Sequence, residues 1–161
     1  MQPIGQGHCI ADLVASGELA GAIGVDIDVP HVQPLVPMAA QAGLDALRSQ
    51  GHYPINHLVV VKDSVLQAHP AVAPAVFDAF AQSKRHYVEQ LRAGAIVKPS
   101  AVDKMHLAVM DATGSDPLPY GLAANRAMLG EAMRSAVEQG ILARVPSLEE
   151  LFPESTHHLS A

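Results

Sequence analysis

The sequence has little of several residue types, and each shortage excludes a class of protein. Among 161 residues there is one cysteine, Cys9, which excludes an internal disulfide. Lys and Arg total 10 against 16 Asp and Glu, for a formal net charge of -6. Phosphate binding needs clustered cations, so we expect no nucleic acid partner. No run of about 18 apolar residues occurs, so we expect no membrane insertion.

Aromatic residues are also scarce, at 4% with no tryptophan, although 49% of the chain is apolar. Ala, Val and Leu must therefore form most of the core. Residues 1–7 carry neither the basic nor the apolar region of a secretion signal. This favours a cytoplasmic location, or a periplasmic one if a leader precedes the chain.

Metal ligands lack a standard spacing despite the nine histidines. The motifs HExxH and CxxC and the EF-hand loop do not occur. His52 and His57 are five residues apart across a proline, which is no usual ligand arrangement. We therefore predict no metal and no other cofactor.

Helical and extended patterns alternate in the first part of the chain. Residues 8–16 have one apolar helical face and end before Gly17, where a C-cap glycine belongs. A small-residue strand at 19–27 and a β-branched strand at 58–61 are predicted to be buried. A helix, a glycine and a buried strand make half of a βαβ unit, so the pattern predicts an α/β protein with a parallel sheet.

Later helices are predicted from apolar residues at a spacing of 3.6. They cover residues 39–49, 71–92, 103–110 and 125–139, and a capping box marks a further turn at Ser147. The basic pair Lys84-Arg85 is expected on a solvated helix face. The polar tail from Pro153 is expected to be frayed.

Two polar corners hold the candidate functional groups. The first polar corner, residues 52–57, contributes Tyr53, Asn56 and His57, and the second, residues 116–126, contributes Tyr120, Asn125 and Arg126. Histidine has an unperturbed pKa near neutrality, so His57 is the natural proton donor. In the structural alternative, His57 is a satisfied strand-edge histidine and Tyr120 packs against its proline turn.

Several segments together resemble the 4,5-dihydroxyphthalate decarboxylase-like family, relatives of periplasmic solute-binding proteins. They occur in the family's order: LVASGEL at 13–19, YPINHLVVV at 53–61, HP at 69–70 with FDAF at 77–80, PYGL at 119–122 with NR at 125–126, EQG at 138–140 and EELF at 149–152. The chain departs from the family pattern at Ala20, where an acidic residue is usual, and at 38–49, which lacks paired aromatics.

The resemblance implies a partial α/β fold of the periplasmic-binding-protein-like type II class. It covers roughly the later half of a two-lobed protein. Residues 1–50 would be the end of the second lobe and the connection, and residues 51–161 the return segment and C-terminal helices of the first lobe. Ligand would be held in the cleft between the lobes.

The resemblance further implies a carboxy-lyase that decarboxylates a hydroxylated aromatic acid without a cofactor. His57 would be the catalytic acid, and Tyr53, Asn56, Tyr120 and Asn125 would orient the substrate. Arg126 would pair with a second carboxylate. One alternative is an ABC-transporter-type substrate-binding protein for a small organic acid. Another is an inactive truncated fragment that forms a homodimer through exposed lobe faces.

Overall fold

The computed structural model describes residues 4–5 and 7–161, and this part of the chain is helical. Helix accounts for 52% and strand for 1%, and the described residues form no sheet. The predicted α/β, periplasmic-binding-protein-like type II fold is therefore wrong. The expectation about a secretion signal in residues 1–7 lies partly outside the described residues.

The stretch at 19–27, predicted to be a buried strand, follows an irregular path with bends. Gly24 has a positive φ of 71°, and the side chain of Ile23 is fully exposed. Glycine inside a strand weakens it, because it costs backbone entropy and offers no side chain to pack. The small residues of this stretch therefore form a loop, and the strand predicted after the helix and its glycine is wrong.

The second predicted strand, 58–61, belongs to a longer stretch that is straight but unpaired. Residues 51–62 contain no helix, turn or bend. Leu58, Val59 and Val60 are nevertheless exposed. An extended segment becomes a strand only when a neighbour shares its backbone hydrogen bonds, and the described residues supply no such neighbour.

The chain divides into two compact units, residues 1–39 and 40–161. In the first unit, helix α1 spans Ile10–Ala15 and has Ser16 as its C-cap. Gly17 follows with a φ of 82°, which confirms the predicted helix end. Val14 is buried. The assignment of 1–50 and 51–161 to two lobes stays a prediction.

Further helices follow along the chain. They are α2 (Ala39–Gln50), α3 (Asp63–Ala68), α4 (Val72–Arg92), α5 (Ala101–Thr113), α6 (Leu122–Glu138), α7 (Leu148–Leu151) and a 3-10 helix at Glu154–Thr156. The predictions for α2, α4 and α6 are confirmed within a few residues. Within the described ranges, none of these helices has both the length and the apolar character needed to cross a membrane.

Helix α5 begins before and ends after the predicted 103–110, with a capping box at its start and the left-handed Gly114 at its end. The Ser100 hydroxyl accepts from the Asp103 N–H at 3.2 Å, and the Asp103 carboxylate accepts from the Ser100 N–H at 2.7 Å. This capping box satisfies backbone donors that a helix start leaves unpaired. Ser147 and Glu150 form the same arrangement at α7, as the sequence predicted.

The core is assembled from aliphatic side chains, as the scarcity of aromatics requires. Leu122 and Leu129 of α6 are buried with Leu148 of α7, and Met133 and Phe152 pack against them. A second buried stripe runs along α4, with Ala73, Ala81, Val88 and Leu91.

The tail from Pro153 is ordered by backbone pairing, so the expectation that it frays is wrong. The Tyr120 N–H donates to the Ala161 carbonyl at 2.8 Å, and the Ala161 N–H donates to the Tyr120 carbonyl at 3.2 Å. Gly121 has a φ of 109°, and a Cβ there would collide with the Leu159 carbonyl oxygen. Glycine at this position therefore lets the tail lie against the second polar corner.

Candidate functional site

His57 and Asn56 of the first polar corner open into a cavity of about 400 Å³, here called the His57 cavity. Its other wall is α6, which contributes the apolar side chains Met128, Leu129 and Met133. The polar side chains of the lining are His52, Asn56, His57, Glu131 and Ser135. A cavity with an apolar wall and a few polar groups is the usual form of a small-molecule site.

The polar groups around the first corner are largely free of internal partners. The side chains of His57 and Asn56 are exposed and make no hydrogen bond within residues 4–5 and 7–161. On the opposite wall, Glu131 forms an ion pair with Arg134, one turn along α6. Both members of that pair are about half exposed, so the carboxylate remains accessible to a ligand.

Tyr53 points elsewhere, into a smaller cavity of about 180 Å³ that shares the Met128 wall. Its hydroxyl donates to the Pro117 carbonyl oxygen at 2.8 Å. Burial raises the pKa of Tyr53, and the nearby charge of Asp116 raises it further. The Tyr53 hydroxyl therefore links the first polar corner to the second, and Tyr53 is not among the residues that line the His57 cavity.

Asn125 also lines the smaller cavity, and the Nδ2 group of its amide is bonded within the turn before α6. The Nδ2 group donates to the Pro119 carbonyl at 2.8 Å and to the Gly121 carbonyl at 2.9 Å. Satisfying two backbone acceptors in a partly buried turn is a structural role.

Tyr120 belongs to a cluster built around Lys84. The Tyr120 ring meets Phe77 edge-to-face at 6.5 Å between centroids, and the Lys84 Nζ lies 5.0 Å from the Tyr120 centroid. Lys84 Nζ also donates to Asp116 Oδ2 at 2.6 Å and to the Leu118 carbonyl at 3.1 Å. The lysine is 5% exposed, so its predicted place on a solvated helix face is wrong.

The sequence does carry a signal for the burial of Lys84. It lies three residues after Ala81 and four before Val88, which places it on the buried stripe of α4. A lysine on such a stripe needs a partner for its charge, and Asp116 is that partner.

Arg126 is exposed at the start of α6 and pairs with Glu149 of α7. Its Nη2 donates to Glu149 Oε1 at 2.6 Å, and both side chains are about half exposed. The hydrogen bond from Arg126 lowers the pKa of Glu149. Arg126 is not among the residues that line the His57 cavity.

Three hydrogen-bonded side chains, Tyr87, Asp103 and His106, connect α4 to α5, and the sequence analysis did not predict this cluster. The Tyr87 hydroxyl lies 2.6 Å from Asp103 Oδ1 and 2.9 Å from His106 Nδ1. A hydroxyl has one proton, which Tyr87 donates to the carboxylate, so His106 must donate from Nδ1. The pKa of Tyr87 is raised to about 12; burial is the larger cause, and the hydrogen bond to Asp103 is the second. Burial lowers the pKa of His106, against the opposing charge of Asp103.

The structure thus brings His57 and Asn56 together and separates them from the other candidates. Tyr53 and Asn125 share the smaller cavity, Tyr120 lies with Lys84, and Arg126 pairs with α7. Among the described residues, no group of three His, Cys, Asp or Glu side chains is placed to hold a metal ion. The His57 cavity places an imidazole and an amide beside an apolar wall.

No protein-family model matches this chain, and no curated protein matches it.

Proposed function

We propose that the protein catalyses the non-oxidative decarboxylation of a hydroxylated aromatic acid in the His57 cavity. The supporting observation is that an imidazole and an amide, with no partner among the described residues, open into a cavity of about 400 Å³ with an apolar wall. This volume falls within the range of roughly 300–1,000 Å³ typical of small-ligand sites. The sequence resemblance to the 4,5-dihydroxyphthalate decarboxylase-like family supplies the substrate class.

The reaction needs an acid and no external oxidant or reductant. A hydroxyl ortho or para to the carboxylate allows the ring to adopt a keto tautomer. The carbon that bears the carboxylate takes a proton from the acid while the phenolic hydroxyl gives up its own proton, which forms the keto tautomer. The bond from that carbon to the carboxylate then breaks, its electron pair restores the aromatic ring and leaves a phenolate, and carbon dioxide departs. The phenolate takes up a proton again. His57 is the proton donor in this scheme, because an imidazole is the side chain that most often transfers protons in enzymes.

The lining offers contacts for the hydroxyl groups and the ring of such a substrate. The Glu131 carboxylate is an acceptor for phenolic hydroxyls, which are donors. The Asn56 amide is a donor for a substrate oxygen, and Met128 and Leu129 pack against the ring. Tyr53, Asn125 and Arg126 have no part in this scheme because their polar groups are bonded elsewhere.

The test measures carbon dioxide release by the purified chain. Carboxyl-labelled 4,5-dihydroxyphthalate and dihydroxybenzoates are supplied, and labelled carbon dioxide is followed by mass spectrometry. His57→Gln should lower the rate about a hundredfold, which is the contribution of one well-placed acid. His69→Gln is the matched control, because His69 is also exposed but does not line the cavity.

Two outcomes would reject the catalytic role. One is the absence of labelled carbon dioxide from every substrate. The other is an equal rate in the His57→Gln and wild-type proteins.

Binding of a small organic acid without chemistry is the second candidate, favoured by the exposure of His57. Water competes with a substrate for an exposed donor and weakens the electrostatic effects that catalysis uses. Calorimetric binding of a hydroxyphthalate that saturates without carbon dioxide release would favour this role. An inactive fragment would show neither binding nor release.

A further inference from the structure

We propose that His106 is an acid-sensitive switch, which loosens the contact between α5 and α4 when its imidazole takes up a proton. The proposal is carried by the cluster of Tyr87, Asp103 and His106, whose side chains join these two helices. It does not depend on the catalytic role proposed for His57.

The surroundings of His106 favour its neutral imidazole. The side chain is 7% exposed, and its ring meets the ring of Tyr87 edge-to-face at 5.7 Å between centroids. Nδ1 uses its proton in the hydrogen bond to the Tyr87 hydroxyl at 2.9 Å, and Nε2 has no partner among the described residues. A second proton would therefore create a charged donor that lacks an acceptor and that little water reaches.

The one charge that favours the protonated imidazole is that of Asp103, one turn earlier on α5. Its carboxylate already accepts two hydrogen bonds, at Oδ1 from the Tyr87 hydroxyl at 2.6 Å and at Oδ2 from the Ser100 N–H at 2.7 Å. Burial is the stronger influence and lowers the pKa of His106.

The other charged groups of the two helices are paired elsewhere or exposed. Lys84 lies one turn before Tyr87 on the buried side of α4, and Asp116 pairs with it at 2.6 Å. The remaining titratable residues around the cluster are exposed; they are Arg85, His86 and Glu89 on α4, and Lys104 and Asp111 on α5. The switch therefore depends on the groups of the cluster itself.

Acid weakens the contact, because the docked helix favours the neutral imidazole. The pKa of His106 lies below its ordinary value of about 6.5, so the stabilisation is fully present above that pH and is lost as the pH falls toward the lowered pKa. One proton shifts the balance between docked and released α5 by up to about tenfold per pH unit in this window. Asp103 stays ionised there, since the hydrogen bond from Tyr87 lowers its pKa.

Release of α5 would also open the smaller cavity. Val109 and Thr113 lie on the same side of α5 as His106, and both line that cavity. Their displacement removes part of a lining that also contains Tyr53 and Asn125.

Nuclear magnetic resonance of the full, isotope-labelled chain between about pH 8 and pH 5 tests the switch. The ring signal of His106 should titrate below pH 6.5, and the amides of α5 should lose protection against hydrogen exchange as it does. Exchange rates are corrected for their intrinsic dependence on pH, and the amides of α6 are the internal reference. A ring that titrates at or above pH 6.5, or equal protection of α5 at pH 7 and pH 5, would overturn the proposal.

His106→Gln removes the titrating group and keeps a donor for the Tyr87 hydroxyl. Protection of α5 should then change by less than about twofold from pH 7 to pH 5, against about tenfold in the wild type. His86→Gln is the matched control, because His86 is exposed on α4 and bonds Gln90 at 2.9 Å outside the cluster. This control should respond to acid like the wild type.

An equal acid response of His106→Gln and the wild type would assign the effect to another group and reject the role of His106. The ring titration of the wild type needs no substitution, so it decides the proposal even where the variant does not fold.

Discussion

The two polar corners look alike in sequence but differ in how their polar groups are used. In the second corner, the Asn125 amide bonds two carbonyls, and the Asp116 carboxylate accepts from Lys84 and from the Leu118 N–H at 2.7 Å. In the first corner, the side chains of Asn56 and His57 have no partner within the described residues. The second corner therefore uses its polar groups within the fold, whereas Asn56 and His57 of the first corner present theirs to solvent.

The difference arises from what surrounds each corner. Prolines at 117 and 119 restrict the backbone of the second corner, and α4 delivers a buried cation to it. The first corner lies in an extended stretch whose backbone, from residue 53 to residue 61, makes no hydrogen bond to another described residue. The Tyr53 hydroxyl bonded to the Pro117 carbonyl is the contact through which the second corner holds the first.

The comparison is tested most strongly by removing the buried cation from the second corner. Lys84→Ala should lower the free energy of unfolding by about 3 kcal/mol, because Asp116 loses its partner and a buried space is left. Urea denaturation followed by helical circular dichroism measures the change. The neighbouring exposed residue gives the control, and Arg85→Ala should stay within about 0.5 kcal/mol of wild type. Similar losses for the two variants would show that Lys84 is not central to the second corner.

A smaller effect is expected when one asparagine from each corner is compared. Asn125→Ala should cost about 1.5 kcal/mol, because two partly buried carbonyls lose their donor. Asn56→Ala should change stability by less than about 0.5 kcal/mol, since this side chain is exposed and unbonded. The same Asn56 variant should weaken hydroxyphthalate binding in calorimetry. A stability loss as large for Asn56 as for Asn125 would remove the distinction between the corners.

Local patterns predicted the helices better than they predicted their arrangement. The 3.6-residue spacing located α4, and the Ser147 capping box located α7, because these signals act within one or two turns. The run at 58–61 misled the fold prediction because a strand depends on a partner elsewhere in the chain. β-Branched residues alone do not report whether that partner exists.

Two residues of the His57 cavity lining were named from the sequence, and their part in a reaction stays a prediction. His57 and Asn56 were identified from their chemical type, and they do share a cavity. The prediction did not separate them from Tyr120, which lies with Lys84, because the spatial relation of two distant corners is not encoded in either one. Glu131 was missed because a single acidic residue on an exposed helix face has no distinguishing spacing.

The smallest expected effect is a dependence of stability on alkaline pH through Tyr53. Only the neutral hydroxyl can donate to the Pro117 carbonyl, and burial raises the pKa of Tyr53 above the ordinary value of about 10. The neutral form is therefore favoured by folding. Its contribution is fully present below pH 10 and is lost as the pH rises through the raised pKa.

Urea unfolding of the wild type and of Tyr53→Phe across this range isolates the contribution of Tyr53. The wild type should lose its advantage over the variant as the pH rises above 10. Losses shared by both proteins, including those from Tyr87, cancel in the difference. A difference that is constant from pH 7 to beyond 10 would mean that the Tyr53 hydroxyl does not stabilise the junction of the two corners, and that the first corner keeps its position through backbone packing alone.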